Sequence, residues 1–220
     1  MEGLGKGRNS LDYTNWSVFI SLQMAKQTKE RILKAAKELF LSAGYTGTTV
    51  DAICERAELT KGSFYYFFKT KEDLGVAVLE AALQRSVQLL SDGSYTRVAN
   101  PLEKSLSFLK HLEKCAPELW GSGCLLGSFS TELAETNPRM QKVVAGMFQA
   151  VSDDFAEKLR AVAAELPGKQ APSAGELADL LLGLLEGSII LAKAHREPAR
   201  IPRAIRGFRQ SLANQIGAAA

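Results

Sequence analysis

The sequence is poor in the residues that build disulfides and metal sites. Its three cysteines form no C-x-x-C pair, and an odd number is a poor basis for a disulfide framework. The two histidines, His111 and His195, lie far apart, and no group of histidine, aspartate and glutamate has the spacing of metal ligands. We therefore predict reduced thiols, a cytoplasmic location, and neither a metal nor a cofactor.

Long apolar runs and the motifs of common enzymes are also missing. No segment approaches the roughly 18 consecutive apolar residues of a membrane-spanning helix. No G-x-S-x-G elbow, P-loop or G-x-G-x-x-G turn occurs. The charge is nearly balanced, with 27 basic against 24 acidic side chains and a net charge of +3. These absences argue against an enzyme, a membrane protein and a histone-like polybasic protein, but they leave room for a local basic face.

What the sequence does contain is a series of helix signals. Apolar residues recur at helical spacing from Thr28 to Ala43, and Gly44 is placed to end that helix. Threonine, asparagine or serine stands as an N-cap before most later helical segments, whereas Pro117 and the Gly-Ser-Gly at 121–123 are predicted to interrupt the chain. The pattern predicts an all-α protein with about nine helices. We divide it into a three-helix helix-turn-helix head at 24–74 and a larger helical body at 75–220.

The first 23 residues differ in character from the rest of the chain. A short apolar patch at 16–20 is too short for the apolar region of a signal peptide, and no cleavage site comes after it. Met24 is followed at once by a clean amphipathic helix pattern. We interpret residues 1–23 as a flexible extension and Met24 as the natural start. The alternative is a mobile arm that touches DNA.

Residues 48–74 carry the strongest functional signal, because two short helical patterns are joined there by a tight turn. The second begins Thr60-Lys61-Gly62-Ser63, and small, polar and basic groups are what the N-terminal end of a recognition helix presents to the major groove. Phe64 and Phe68 are four apart and should lie in the core of the head, so other aromatic residues are left to face outward. The predicted DNA contacts are small, basic or phenolic side chains near helix starts: Thr49, Lys61, Gly62, Ser63, Tyr65, Tyr66 and Lys71.

At these residues the chain resembles the TetR (tetracycline-repressor-type) family of bacterial regulators. The likeness covers Thr28 to about Leu79, through ILKAAKELF, GYTGTTVDAICERAEL and KGSFYYFFKTKEDL. It implies an Ω-shaped homodimer whose heads bind a palindromic DNA operator and whose bodies bind a small effector that weakens operator binding. It also implies DNA contacts at the same seven positions. Phe67 departs from the pattern, because the family usually has a phosphate-binding histidine there. Either Tyr66 supplies that anchor or one contact is missing.

Two segments of the body, 123–135 and 184–193, resemble a subgroup of the family that answers acrylate-like acids and reactive electrophiles. Cys124 comes after a glycine-rich turn near a helix start, where the helix dipole would lower the pKa of its thiol, so it is a candidate sensor of electrophiles or oxidants. Cys115 is a second candidate. The alternative for both is an ordinary buried cysteine. Apolar residues of the middle helices, with a few isolated polar groups, form the predicted effector pocket: Phe108, His111, Leu112, Trp120, Cys124, Leu125, Ser128, Phe129, Met147, Phe148, Val151 and Glu186.

The last two long helices should form the dimer interface. Gly183 and Gly187 are four apart, so one helix face is bare and another helix can approach it closely. Apolar residues around this bare face and along the last helix complete the predicted interface: Leu180, Gly183, Leu184, Gly187, Ile190, Leu191, Ile205, Phe208 and Leu212. The alternative is that these residues pack on their own body. The basic residues of this end, from Lys193 to Arg209, are predicted to be a solvated rim.

The sequence thus favours a one-component transcriptional regulator, and a repressor before an activator of the same fold. A helical adaptor whose head binds protein partners instead of DNA is the alternative from another class. An enzyme is the least supported, since no nucleophile with an oriented base is visible.

Overall fold

The computed structural model describes residues 13–217, where it shows nine α-helices, one short 3₁₀ turn at Ser94–Arg97 and no strand. This confirms the predicted all-α class and the number of helices. The helices in chain order are α1 (Tyr13–Gly47), α2 (Val50–Arg56), α3 (Lys61–Phe67), α4 (Lys71–Ser91), α5 (Pro101–Trp120), α6 (Leu125–Leu133), α7 (Pro138–Glu165), α8 (Ala174–His195) and α9 (Arg200–Gly217). None of these helices combines the length and the apolar character that crossing a bilayer requires.

Most helices begin at the N-caps that the sequence predicts. Thr49 is the cap of α2, since its Oγ1 accepts a hydrogen bond from the amide of Ala52 at 3.1 Å. Five further predicted caps each accept from the amide three residues on: Thr60, Thr70, Asn100, Asn137 and Ser173. Because a helix start leaves its first amides without partners, these side chains fix where each helix begins.

Helix α1 starts earlier than we predicted. We expected it to begin near Thr28 after a flexible segment, but residues 13–23 are helical and continuous with it. Neither glycine nor proline occurs between Tyr13 and Ala43, so nothing in the local sequence interrupts the helix. Residues 1–12, which hold the rest of the predicted extension, lie outside the described range. The natural start at Met24 stays a prediction.

Two other predicted helix ends gave opposite results. Gly44 has a positive φ of 79°, so it ends the regular part of α1 as predicted, and one further turn comes after it at 45–47. Pro117 was wrongly predicted to break the chain, because α5 continues through it to Trp120. A proline here removes one backbone hydrogen bond, but the helix has only three residues left to run, and the amide of Gly121 still bonds the Pro117 carbonyl at 3.0 Å.

The buried side chains form two clusters that share α4. Around the head, Ile53 and Phe64 pack with residues of α1, α6 and the start of α7, whereas the body cluster lies between α5, α7, α8 and α9. Leu74 and Leu79 at one end of α4 belong to the first cluster, and Leu90 at the other end belongs to the second. The predicted boundary between residues 74 and 75 therefore falls inside α4. A movement of this helix would therefore change the packing of both clusters.

Candidate DNA-binding surface and effector cavity

The turn between α2 and α3 is held by α1. Arg31 donates hydrogen bonds to the carbonyls of Ala57 and Glu58, at 2.5 and 3.2 Å, and so satisfies carbonyls at the end of α2. Glu58 itself has a left-handed φ of 52°, which turns the chain sharply before the next cap. At that cap, the Thr60 hydroxyl accepts from the amide of Ser63 at 3.2 Å. The angle of α3 is thus set by contacts inside the head.

Helix α3 has one buried and one exposed aromatic side. Phe64 and Phe68 are 1% and 5% exposed, which confirms their predicted place in the core. Tyr65 and Tyr66 are 52% and 79% exposed and present phenol groups to solvent. Phe67 is half-buried and packs against the core of the head. An exposed tyrosine beside the position of the missing histidine is what a replacement phosphate anchor requires, although the contact itself stays a prediction.

Two further residues predicted to contact DNA, Lys61 and Gly62, are exposed on the first turn of α3. Gly62 is exposed, and a Cβ there would meet only the Thr60 hydroxyl at 3.7 Å, so its backbone is open to close approach. Lys61 is exposed and forms an ion pair of 2.7 Å with Asp51 of α2, and this partner raises the pKa of the lysine. The pair is solvated, so its ammonium can exchange Asp51 for a phosphate at small cost.

Lys71 differs from the other six predicted contacts because its ammonium turns inward. Its Nζ donates to the carbonyls of Tyr45 and Thr48, at 3.0 and 2.9 Å, and lies 4.3 Å from the centre of the Tyr45 ring. Burial lowers the pKa of this lysine. The side chain therefore fastens the end of α1 to the start of α4, and one of its three donors is left for a phosphate.

A cavity of about 430 Å³ lies in the body, between α4 and the bundle of α5 to α8. It is bounded by half of the predicted pocket residues: Trp120, Cys124, Leu125, Phe148, Val151 and Glu186. The other half were placed wrongly and do not line it. Phe108, Leu112 and Phe129 are fully buried core residues, His111 bonds the Leu89 carbonyl at 2.9 Å, and Ser128 and Met147 lie away from the cavity wall.

The wall that sequence reasoning missed belongs to α4. Leu79, Leu83 and Leu90 line the cavity together with polar neighbours such as Arg85 and Ser86. From the sequence, α4 is only a helix with a single apolar stripe. Its length could have indicated that it lines the cavity, because a helix of 21 residues reaches from the head deep into the body. Its position against α7 and α8 depends on contacts far apart in sequence.

The lowered pKa that the sequence predicts for the Cys124 thiol is wrong. The thiol does cap the N-terminus of α6, accepting from the amide of Gly127 at 3.5 Å. Burial nevertheless raises the pKa of the Cys124 thiol strongly, and the neighbouring Glu186 carboxylate raises it further. Desolvation outweighs the amides of Gly127 and Leu126, whose hydrogen bonds lower the pKa but cannot replace water around a thiolate. The pKa of Cys115 is also raised, first by burial and then by Glu118.

Helix α6 connects this cavity with the head. Cys124 and Leu125 at its start line the cavity. One turn further, the ring of Phe129 packs against Phe40 and Tyr45 of α1, with ring centres 5.4 and 5.0 Å apart. The same short helix therefore contacts an internal void at one end and the core of the head at its middle.

The far end of α6 is bonded to the backbone of the head. The Glu132 carboxylate accepts hydrogen bonds from the amides of Tyr45 and Thr46, at 3.1 and 2.9 Å. Gly44 gives it room, because a Cβ at that position would lie 2.7 Å from Glu132 Oε1. Sequence reasoning missed this contact, which joins positions 87 and 86 residues apart.

Part of the predicted dimer surface is open and part is not. Leu180, Ile190 and Leu191 of α8 are at least half exposed, and a Cβ on Gly183 or Gly187 would meet nothing within 4 Å. Leu184 and Phe208 are partly buried against the body. Ile205 and Leu212 are 0% and 4% exposed, so their assignment to the interface was wrong. They pack inside their own protomer because α9 turns its apolar stripe toward α5 and α8.

The basic end of the chain is largely paired. Glu197 binds Arg200 and Arg203, and Glu113 of α5 binds Arg206 and Arg209. Two carboxylates thus bind four guanidinium groups. The Arg203 and Arg206 side chains are more than half exposed, as the predicted solvated rim requires, whereas Glu113 and Arg209 are only 15% and 26% exposed and belong to the packed body.

Two family models match most of this architecture. Residues 32–78 match the bacterial regulatory proteins of the tetR family, and residues 101–206 match the C-terminal domain of LmrA/YxaF-like transcriptional regulators. The first match spans the head, and the second spans most of the body.

Individual relatives and structures agree with these models. The chain is 29% identical over 178 residues to the HTH-type transcriptional repressor DhaR of Mycobacterium sp. strain GP1, covering 76% of this chain and 83% of that protein. It is 32% identical over 122 residues to the transcriptional repressor NemR of Escherichia coli, covering 53% and 59%. The crystal structure of the regulatory protein TetR from Rhodobacter sphaeroides superposes with a TM-score of 0.69 at 26% identity, covering 82% and 96%.

Proposed function

Because the chain belongs to the TetR family of bacterial helix-turn-helix regulators, we propose that it is a transcriptional repressor released from its operator by a small molecule in the body cavity. The observation that carries this proposal is the outward face of α3, where Lys61, Tyr65 and Tyr66 stand exposed over a packed head. Repressor is the function named for its relatives DhaR and NemR.

The cavity lies where an effector can act on the head. Helix α4 forms one wall of the cavity, and its first turns are packed in the core of the head. The start of α6 also lines the cavity, and the end of α6 bonds the head through Glu132. A ligand that fits the cavity only when α4 or α6 moves would favour the moved state by its differential binding energy. Such a movement would change the distance between the two recognition helices of a dimer.

A dimer is the second part of the proposal. The exposed apolar side of α8, with bare glycines at its middle, offers a self-complementary face across a two-fold axis. Replacing Ile190, which is 63% exposed, by aspartate should convert a dimer to monomers in sedimentation without loss of helicity. Leu22→Asp changes an equally exposed apolar residue, 65% exposed on α1, and should leave the dimer intact. A dimer unchanged by Ile190→Asp would place the interface elsewhere.

Selection of duplex DNA from a random pool tests the DNA-binding function. We expect enrichment of a palindrome with half-sites one helical turn apart, about 34 Å. Tyr66→Ala and Lys61→Ala should weaken binding to that duplex, whereas Glu55→Ala, also exposed on the head, should not weaken it. A pool without enrichment, together with retained capture of a protein partner by the head, would favour the adaptor.

Titration of candidate effectors against the bound duplex tests the response. Release of the duplex by a ligand that also binds the isolated protein supports a repressor. Tighter duplex binding with the same ligand would support the activator. The class of acids and electrophiles predicted from the body segments stays a prediction.

A further inference from the structure

The cavity wall has few charges, and most of them are already paired. Its lining is mainly leucine and aromatic side chains, including Tyr95, Trp120, Phe148 and Phe155. Four charged residues at its edge form two ion pairs, Arg85 with Glu118 at 2.6 Å and Lys158 with Asp154. Lys37 is exposed on α1, where water screens its charge. These charges give no net attraction to a buried ligand.

Glu186 of α8 is the exception. It lines the cavity, and among residues 13–217 no lysine, arginine or histidine forms an ion pair with it. Its carboxylate lies against α6, so closely that a Cβ on Gly127 would collide with Oε2. Its neighbour there is the Cys124 thiol, a weak donor. Burial raises the pKa of the Glu186 carboxyl, as expected for a carboxylate that has lost water without gaining a cation.

A desolvated carboxylate without a counter-ion favours a cationic ligand. Removing such a charge from water is costly, and a cation placed beside it recovers part of that cost. Aromatic rings on the same wall can hold the apolar or charged part of the ligand through their faces. The anion of an organic acid would be repelled by an ionised Glu186 and would have to bind beside the protonated carboxyl, whereas a cation binds the ionised form.

We propose that the cavity binds a lipophilic organic cation, an amine or quaternary ion with apolar rings, whose charge lies at Glu186. This inference rests on the proposed function only for its consequence, the release of DNA. The binding itself can be tested without DNA.

Two probes of the same shape and opposite charge make the test sharp: tetraphenylphosphonium and tetraphenylborate. Each is titrated calorimetrically into the full-length protein. The buffer contains sodium and no potassium, because potassium ions precipitate tetraphenylborate. We expect the phosphonium ion to bind at least about tenfold more tightly, a difference of about 1.4 kcal/mol. The net charge of +3 would favour the borate, so a preference for the cation must come from the cavity.

Variants locate the site of the charge. Glu186→Gln should weaken phosphonium binding by about tenfold or more and leave borate binding equal or tighter. Glu186→Asp, which keeps the charge, should retain a preference for the cation and guards against a folding effect. Glu118→Gln removes a carboxylate of the same cavity that already has Arg85 as partner, and should change phosphonium binding by less than about threefold.

Three results would overturn the proposal: no saturable phosphonium binding, equal binding of the two probes, or an unchanged preference in Glu186→Gln. Anisotropy of a selected duplex is measured on the same preparations without a probe. Duplex binding with no phosphonium binding defeats this inference alone, whereas phosphonium binding with no duplex binding defeats the proposed function alone.

Discussion

The DNA-binding surface and the effector cavity differ in how their residues come together. The exposed residues Lys61, Gly62, Tyr65 and Tyr66 lie on one helix of seven residues, so neighbours in the sequence are neighbours in space. The cavity takes its walls from α1, α4, α5, α6, α7 and α8, from Lys37 to Glu186. The first site depends on caps and short-range spacing. The second depends on how long helices pack, and α6 is where the two meet.

The largest effect should come from the core that joins the two regions. Phe129→Ala removes a fully buried ring packed on Phe40 and Tyr45. We expect the free energy of unfolding to fall by about 3–5 kcal/mol, as for other buried phenylalanines. Urea denaturation monitored by circular dichroism measures this loss.

The matched change on the cavity side is Phe148→Ala. This ring is only partly buried and already borders the void, so fewer contacts are lost and the destabilisation should be clearly smaller than for Phe129. If the two variants lose equal stability, the cavity is filled or closed in solution, and the contrast between a packed junction and an open body fails.

The sequence predicted the core residues and caps of the head correctly but only half of the residues that line the cavity, and particular residues show why. Phe64, Phe68 and Thr60 were assigned correctly because a one-turn spacing or a cap decides each of them. Phe108 and Leu112 were misplaced because an apolar residue of α5 fits a cavity wall and a closed core equally well. Only the packing of α4 and α7 against that helix decides between the two.

The pKa of Cys124 also shows that local sequence does not determine burial by distant helices. The thiol of Cys124 was placed correctly at a helix start, but its pKa was predicted with the wrong sign. The N-cap position is visible in local sequence. The burial of that end against Glu186, which controls the pKa, is made by a helix about 60 residues further along the chain.

The next largest effect should be at Glu132. Glu132→Ala leaves the amides of Tyr45 and Thr46 without their acceptor, which should cost about 1–3 kcal/mol of stability. We also expect faster hydrogen exchange at these two amides and weaker duplex binding, because the end of α1 is no longer held by α6.

Glu135→Ala is the control for this change, since Glu135 is an exposed acidic residue three positions further along. It should leave stability, exchange and duplex affinity unchanged. Equal duplex affinity in Glu132→Ala and Glu135→Ala would mean that α6 does not transmit to the head.

Two lysines of the head should separate DNA contact from structure. Lys61→Met should weaken duplex binding by about 1 kcal/mol. It should also reduce the slope of log affinity against log salt by about 0.9, the value for one phosphate contact. Lys71→Met should mainly lower the free energy of unfolding, because the carbonyls of Tyr45 and Thr48 lose their donor. Affinity measured between 50 and 200 mM salt, about the range in which such slopes develop, distinguishes them.

A reduced slope in Lys71→Met would show that its third donor does reach a phosphate, as the family pattern implies. An unchanged slope in Lys61→Met would show that its ion pair with Asp51 persists on DNA.

The smallest expected effect is on the reactivity of the Cys124 thiol. Because the pKa of Cys124 is raised, its thiolate fraction at pH 8 is lower than that of a free cysteine, whose pKa is about 8.5. Alkylation by iodoacetamide should therefore be slower, and its rate should keep rising above pH 9, where a free thiol levels off. Glu186→Gln removes a charge that disfavours the thiolate and should speed the reaction, with the adduct located by peptide mass mapping against a Cys124→Ser control. Alkylation faster than that of free cysteine at neutral pH, with a plateau below about pH 8, would mean a lowered pKa and would restore the sensor thiol. The properties of the body, like those of the head, would then follow from local sequence.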